Sequence, residues 1–116
     1  MVAKPETLLK NRVKEKLERI PHCCIIKIQQ IAIRGDPDLV LCVNGWSVWV
    51  ELKRTRKEKP DALQHFKLWR HQEIGLGYSL VLHKDNMNET IEFITRISQS
   101  EIKLEVPECL RLPKPN

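Results

Sequence analysis

The chain has 116 residues, 41% hydrophobic and 30% charged, with a formal net charge of +5 at pH 7. That length holds one domain with a single core of two or three layers and excludes two. No apolar run approaches the ~20 residues of a membrane span, and the start Met1-Val2-Ala3-Lys4-Pro5 has no signal-peptide core, so an intracellular protein is expected, cytoplasmic or in host cytoplasm if viral.

Residues 5 to 20 read as a first helix, with Pro5 suited to its first turn. At about 100° per residue, Leu9, Val13, Leu17 and Ile20 form one apolar stripe, and Glu6 projects into it while Glu15 and Glu18 lie away from it. His22 to Ile33 is rich in isoleucine and reads as a first strand, bent near Gln29-Gln30. Lys27 and Gln29 share a face there, and Arg34 follows at the strand end. The four cysteines, at positions 23, 24, 42 and 109, show no Cys-x-x-Cys spacing. Cys23 and Cys24, adjacent in a strand, must point to opposite faces, so a reduced chain is the better reading. His22-Cys23-Cys24 has no second ligand pair at zinc spacing.

Two apolar runs flank Asn44-Gly45, whose residues tolerate the positive φ of a type I′ turn. A two-residue loop pairs Val43 with Trp46, and counting outward places Asp38 opposite Glu51. Asp38, Val40, Cys42, Ser47, Trp49, Glu51 and Lys53 then share one face of the hairpin, while the other face, from Leu39 to Leu52, is apolar and belongs to the core. Directly opposed side chains lie about 4.5–5.5 Å apart at Cβ, where two carboxylates repel. A positive group must sit between them: a divalent cation with oxygen ligands, supplemented by Lys53. The run from Lys53 to Lys59 holds five basic residues and one acid, and its position beside two carboxylates marks it as a phosphate-holding loop.

Pro60 or Asp61 opens a second helix to Ile74, ended by Gly75 and Gly77, with Ala62, Leu63, Phe66 and Trp69 as its expected core stripe. Gln64, Lys67 and His71 cluster on a different side, and His71 reads as a surface or phosphate-facing residue. Tyr78 to Leu82 is a short buried strand. Asn86-x-x-Glu89 resembles a capping box for a helix to Ser98, with Met87, Ile91, Ile94 and Ile97 inward. The tail from Ile102 to Asn116 carries three prolines and no readable chemistry.

Gly35-Asp36-Pro37-Asp38, a hairpin, then Glu51-Leu52-Lys53 resembles the PD-(D/E)xK nuclease signature, and more narrowly the virus-type replication-repair nuclease (VRR-NUC) family. The likeness runs from about Glu6 to Leu82. It implies an α/β fold with a restriction-endonuclease-like core, a central mixed β-sheet flanked by helices in the order αβββαβα. Residues 1–100 would form the nuclease domain and 101–116 a C-terminal appendage.

By the same resemblance, Glu6 completes an acidic cluster with Asp38 and Glu51. The Leu52 carbonyl joins them in holding one or two Mg²⁺ or Mn²⁺ ions, and Gln64 lies close to the catalytic residues. Lys53 orients water or stabilises the transition state, and the reaction is phosphodiester hydrolysis without an organic cofactor. Lys27, Arg34, Arg54, Arg56, Lys57 and Lys67 are the expected nucleic-acid contacts. The resemblance further implies a homodimer acting on branched DNA such as Holliday junctions. The alternative is a nuclease fold kept as a non-catalytic DNA-binding or regulatory module.

Overall fold

The Asn44-Gly45 turn takes φ values of 50° and 87°, the left-handed pair that a type I′ hairpin needs. It joins β2 (Leu39–Val43) to β3 (Trp46–Leu52), with Val43 opposite Trp46 and Leu39 opposite Val50, as expected from the sequence. In this computed structural model residues 5–26, 37–75 and 77–115 are described, the side chains of residues 5–7 excepted. The remaining elements are α1 (Pro5–Glu18), β1 (Cys23–Ile26), α2 (Ala62–Ile74), β4 (Gly77–Leu82), α3 (Met87–Ser98) and a 3₁₀ turn at Glu108–Leu110. The element order is the expected αβββαβα.

The sheet runs β1-β2-β3-β4, with β1, β2 and β3 antiparallel and β3 parallel to β4. A parallel return needs a crossover connection, and α2 supplies it. The alternating pattern of the hairpin separates two faces. Leu39, Leu41, Val43, Val48 and Val50 are all at most 1% exposed and join Tyr78, Leu80 and Leu82 of β4 against α1 and α3. From α1 come Leu9, Val13, Leu17 and the following Ile20, the stripe expected from periodicity. From α3 come Met87, Phe93, Ile94 and Ile97, with Ile91 only partly buried. Each fully buried aliphatic side chain contributes roughly 1.5–3 kcal/mol, so this face carries most of the stability.

Three expectations change. The core stripe of α2 is not Ala62, Leu63, Phe66 and Trp69: Leu68 and Gln72 are buried, while Leu63 and Phe66 stand 41% and 43% exposed. The helix turns toward a sheet face furnished with Ser47, Trp49 and Ser79, which accepts polar partners, so apolar periodicity selects the wrong side. Asn86 is the N-cap residue of α3, its carbonyl accepting from the Thr90 N–H at 2.9 Å, but its side chain makes no capping bond. Its Oδ1 accepts from the His83 N–H at 2.9 Å and its Nδ2 donates to the Val81 carbonyl at 3.0 Å, so it ties the end of β4 to the turn instead. Finally, the segment after α3, read as an appendage, packs Val106 and Leu110 into the main core, and the Leu104 N–H donates to the Tyr78 hydroxyl. Among the described residues no helix is long and apolar enough to cross a membrane.

Candidate active site at the open end of the hairpin

Extending the β2–β3 register by one step beyond Leu39–Val50 brings Asp38 opposite Glu51, and the hydrogen bonds show the two meeting. The Asp38 N–H donates to Glu51 Oε1 at 3.1 Å, and the Leu52 N–H donates to Asp38 Oδ2 at 2.8 Å. Each carboxylate is thus oriented by the opposite strand's backbone. Pro37 is buried just before Asp38 and fixes the approach of the chain.

Glu51 is only 3% exposed, and Lys53 Nζ lies 3.4 Å from its Oε2. Burial pushes the Glu51 carboxyl up to about 8; hydrogen bonding and the charge of Asp38 push the same way, and the Lys53 ammonium opposes them. Desolvation penalises the carboxylate and a neighbouring acid adds repulsion, so one lysine does not fully compensate. Near neutral pH the site therefore holds a proton or accepts a further cation.

The donor chemistry fits a hard divalent ion. Asp38 keeps Oδ1 and Glu51 a second oxygen shared with Lys53, all ligands are oxygen, and the local excess of negative charge is what such an ion neutralises. Among the described residues no group of three or more His, Cys, Asp or Glu side chains forms a metal cluster. The third acid expected from the sequence, Glu6, lies in α1, but its side chain is outside the described residues, as are Lys27 and Arg34.

The same face continues away from the acids into a stacked pair. His71 of α2 lies flat on Trp49, centroids 4.0 Å apart and planes 6° from parallel. Its Nε2 is 3.1 Å from Ser47 Oγ and its Nδ1 2.9 Å from Ser79 Oγ. Burial lowers the imidazole to about 4, assisted by the Lys103 charge. The sequence reading of His71 as a surface or phosphate-facing residue is thereby corrected: it is a neutral wedge between helix and sheet. A signal for it existed in Gly77, where a Cβ would come within 2.6 Å of the His71 ring and 2.5 Å of the Ser47 carbonyl. Only glycine leaves that space.

Gln64 is half-buried in the first turn of α2, where its N–H donates to Asp61 Oδ1, the helix cap. In the basic loop Arg54 pairs with Glu58 at 2.9 Å, while Arg56 and Lys57 are exposed. Lys67 is half-buried on α2.

The mixed four-stranded sheet flanked by helices is consistent with the restriction-endonuclease-like class of α/β folds. A solved structure described as a VRR_NUC domain is 25% identical to this chain and covers 78% of it and 97% of its own length, with a TM-score of 0.65. The chain is similar to this VRR_NUC domain over most of both lengths and shares its fold. No family model matches the sequence, and no curated protein matches it.

Proposed function

We propose that the protein is a metal-dependent DNA endonuclease that hydrolyses phosphodiester bonds, selective for branched DNA such as Holliday junctions and acting as a homodimer. The observation that carries the reading is the Asp38–Glu51–Lys53 arrangement: two opposed acids, one buried and raised to about 8, with a single ammonium 3.4 Å away. A structural ion pair does not need a second carboxylate. A site that binds a cation and a phosphate does.

In this reading Asp38 and Glu51, with the Leu52 carbonyl and Glu6, would hold Mg²⁺ or Mn²⁺. When bound, such an ion supplies charge neutralisation at the phosphate and lowers the pKa of water. The chain's own groups do the rest. The Leu52 and Asp38 N–H groups hold the two carboxylates in place before substrate arrives, which avoids reorganisation during reaction. Lys53 donates to a non-bridging phosphate oxygen or to the attacking water, and its charge follows the negative charge that grows on phosphorus. Arg54, Arg56, Lys57 and Lys67, with Lys27 and Arg34, hold flanking phosphates.

Gln64 is supported by helix geometry. It precedes His71 by seven residues, so it shares that stripe about 10.5 Å nearer the start of α2. Because α2 returns antiparallel to β3, this direction leads from Trp49 toward Glu51. A glutamine there donates and accepts without adding charge, which suits positioning of water or phosphate.

Cleavage of labelled four-way junction, flap and linear duplex DNA tests the proposal, each with Mg²⁺, with EDTA and with Lys53→Ala protein. Metal-dependent cutting that vanishes in the variant and favours junctions is the expected result. Binding of all three DNAs with no cutting in either Mg²⁺ or Mn²⁺ would replace it with the non-catalytic module.

A further inference from the structure

All four cysteines are free, and three of them, Cys23, Cys24 and Cys42, meet on β1 and β2. Their faces differ. The ladder pairs Cys24 with Cys42 and Cys23 with Val43, so Cys24 and Cys42 oppose each other on one face while Cys23 turns to the other, against the core. Both members of the opposed pair are exposed, whereas Cys23 is half-buried. Burial pushes the Cys23 thiol up, and the charges of Cys24 and Cys42 push it further, which puts both within electrostatic reach of the third sulfur.

The type of pair sets the geometry. The Asn44 N–H donates to the His22 carbonyl at 2.8 Å, so His22 and Asn44 are a hydrogen-bonded pair. Pair types alternate along an antiparallel ladder, which makes Cys24 and Cys42, two steps on, a hydrogen-bonded pair again. Such pairs hold their Cα atoms about 5.5 Å apart, inside the window of about 4.4–6.8 Å that a disulfide spans. Their Cβ atoms lie toward the wide end of about 4.5–5.5 Å, whereas a relaxed disulfide takes roughly 3.8 Å. A bridge here forms without moving either strand far, but it forms under strain. Strained, exposed disulfides are the ones that thiols reduce readily.

We propose that Cys24 and Cys42 are a reversible thiol–disulfide site, a dithiol at rest that is bridged by a small disulfide of the glutathione type. The thiolate of one cysteine attacks the S–S bond of the oxidant, which forms a mixed disulfide and releases one small thiol. The thiolate of the other then attacks the protein sulfur of that mixed disulfide, so the Cys24–Cys42 bond forms and the second small thiol leaves. Two electrons pass from the protein to the oxidant, and the two protons of the protein thiols end on the released thiols. The bridge ties β1 to β2, the strand that leads away from Asp38, and its chemistry is independent of the nuclease reading.

The test equilibrates folded protein with mixtures of reduced and oxidised glutathione, quenches with acid, alkylates the remaining thiols in denaturant and reads the unreduced peptides by mass spectrometry. Wild-type protein is expected to lose the thiols of Cys24 and Cys42 together, as one cross-linked peptide pair, at any protein concentration. Excess reduced glutathione should restore both. Cys42→Ser should carry glutathione on Cys24 instead of a bridge.

Cys23→Ser and Cys24→Ser supply the sharper comparison. Adjacent residues close loops of nearly equal length, so in urea the two variants should bridge to Cys42 equally. In folded protein the bridge should be about tenfold or more favoured in Cys23→Ser, because only Cys24 shares the face of Cys42. Equal bridging of the two folded variants, separate glutathione adducts on Cys24 and Cys42 in wild type, or a cross-link found only between two copies would overturn the site. A bridge that excess reduced glutathione does not open would overturn its reversibility and make it a structural disulfide.

Discussion

The two faces of one sheet were built to different rules. Under α1 and α3 the face is Leu and Val with Tyr78, at near-zero exposure from β2 to β4, and no described side chain on it holds a charge. Under α2 the face carries Asp38, Ser47, Trp49, Glu51 and Ser79, covered by a helix that presents Leu68, His71 and Gln72. The carboxyl raised to about 8 and the imidazole lowered to about 4 both lie on this second face. Stability comes from one face, and the second tolerates the unfavourable burial of ionisable groups because the first has already set the fold.

Substitutions sharpen the contrast. Glu51→Gln should lower DNA cleavage by about 10³-fold or more, yet raise metal-free stability at pH 8 by on the order of 1–3 kcal/mol. The sign follows from the raised value. Between pH 4.5 and about 8 the folded protein holds a proton that the unfolded chain has released. Glu51's contribution to stability is therefore present at low pH and lost as pH rises through 8. Urea unfolding at pH 5 and pH 8 measures it, and a variant less stable at pH 8 would break the comparison.

On the opposite face, Leu80→Ala should cost about 2–5 kcal/mol, with cleavage per folded molecule little changed. A calorimetric scan beside a cleavage assay would show whether the faces separate in this way.

His71→Asn tests the second ionisable group, whose linkage runs the other way. With the folded value near 4 and the ordinary one near 6.5, its stabilisation is present above pH 6.5 and disappears as pH falls toward 4. Wild-type protein should lose about 1–3 kcal/mol across that window through this residue. The variant should start less stable at pH 7 and show a flatter acid limb in thermal melts. The smallest effect belongs to Phe66→Gln, a position that apolar periodicity would put in the core. At 43% exposure it should change stability by no more than about 0.5 kcal/mol.

Legibility followed the same division. On the apolar face, Leu9, Val13 and Leu17 could be read from spacing, and the hairpin register followed from Asn44-Gly45 and the alternation around it. The acidic pair was legible for the same reason, because register alone puts Asp38 across from Glu51. On the other face the inward side of α2 was misread, since its buried stripe is polar and periodicity scores only apolar residues. His71 gave no local sign of its partners, which come from β3 and β4, 24 and 8 residues away. Asn86 had the spacing of a capping residue and sits at the N-cap, but its side chain found better partners at the end of β4.

By itself, the sequence determined the element order, the core-facing side of the hairpin and the meeting of two carboxylates across it, all consequences of turn chemistry and of periods of 2 and 3.6 residues. Only the tertiary structure decided how deeply Glu51 is buried, which side of α2 meets the sheet, and that the tail packs Val106 and Leu110 into the main core. Those outcomes depend on desolvation and on contacts between segments distant in the chain, and neither is carried by local pattern.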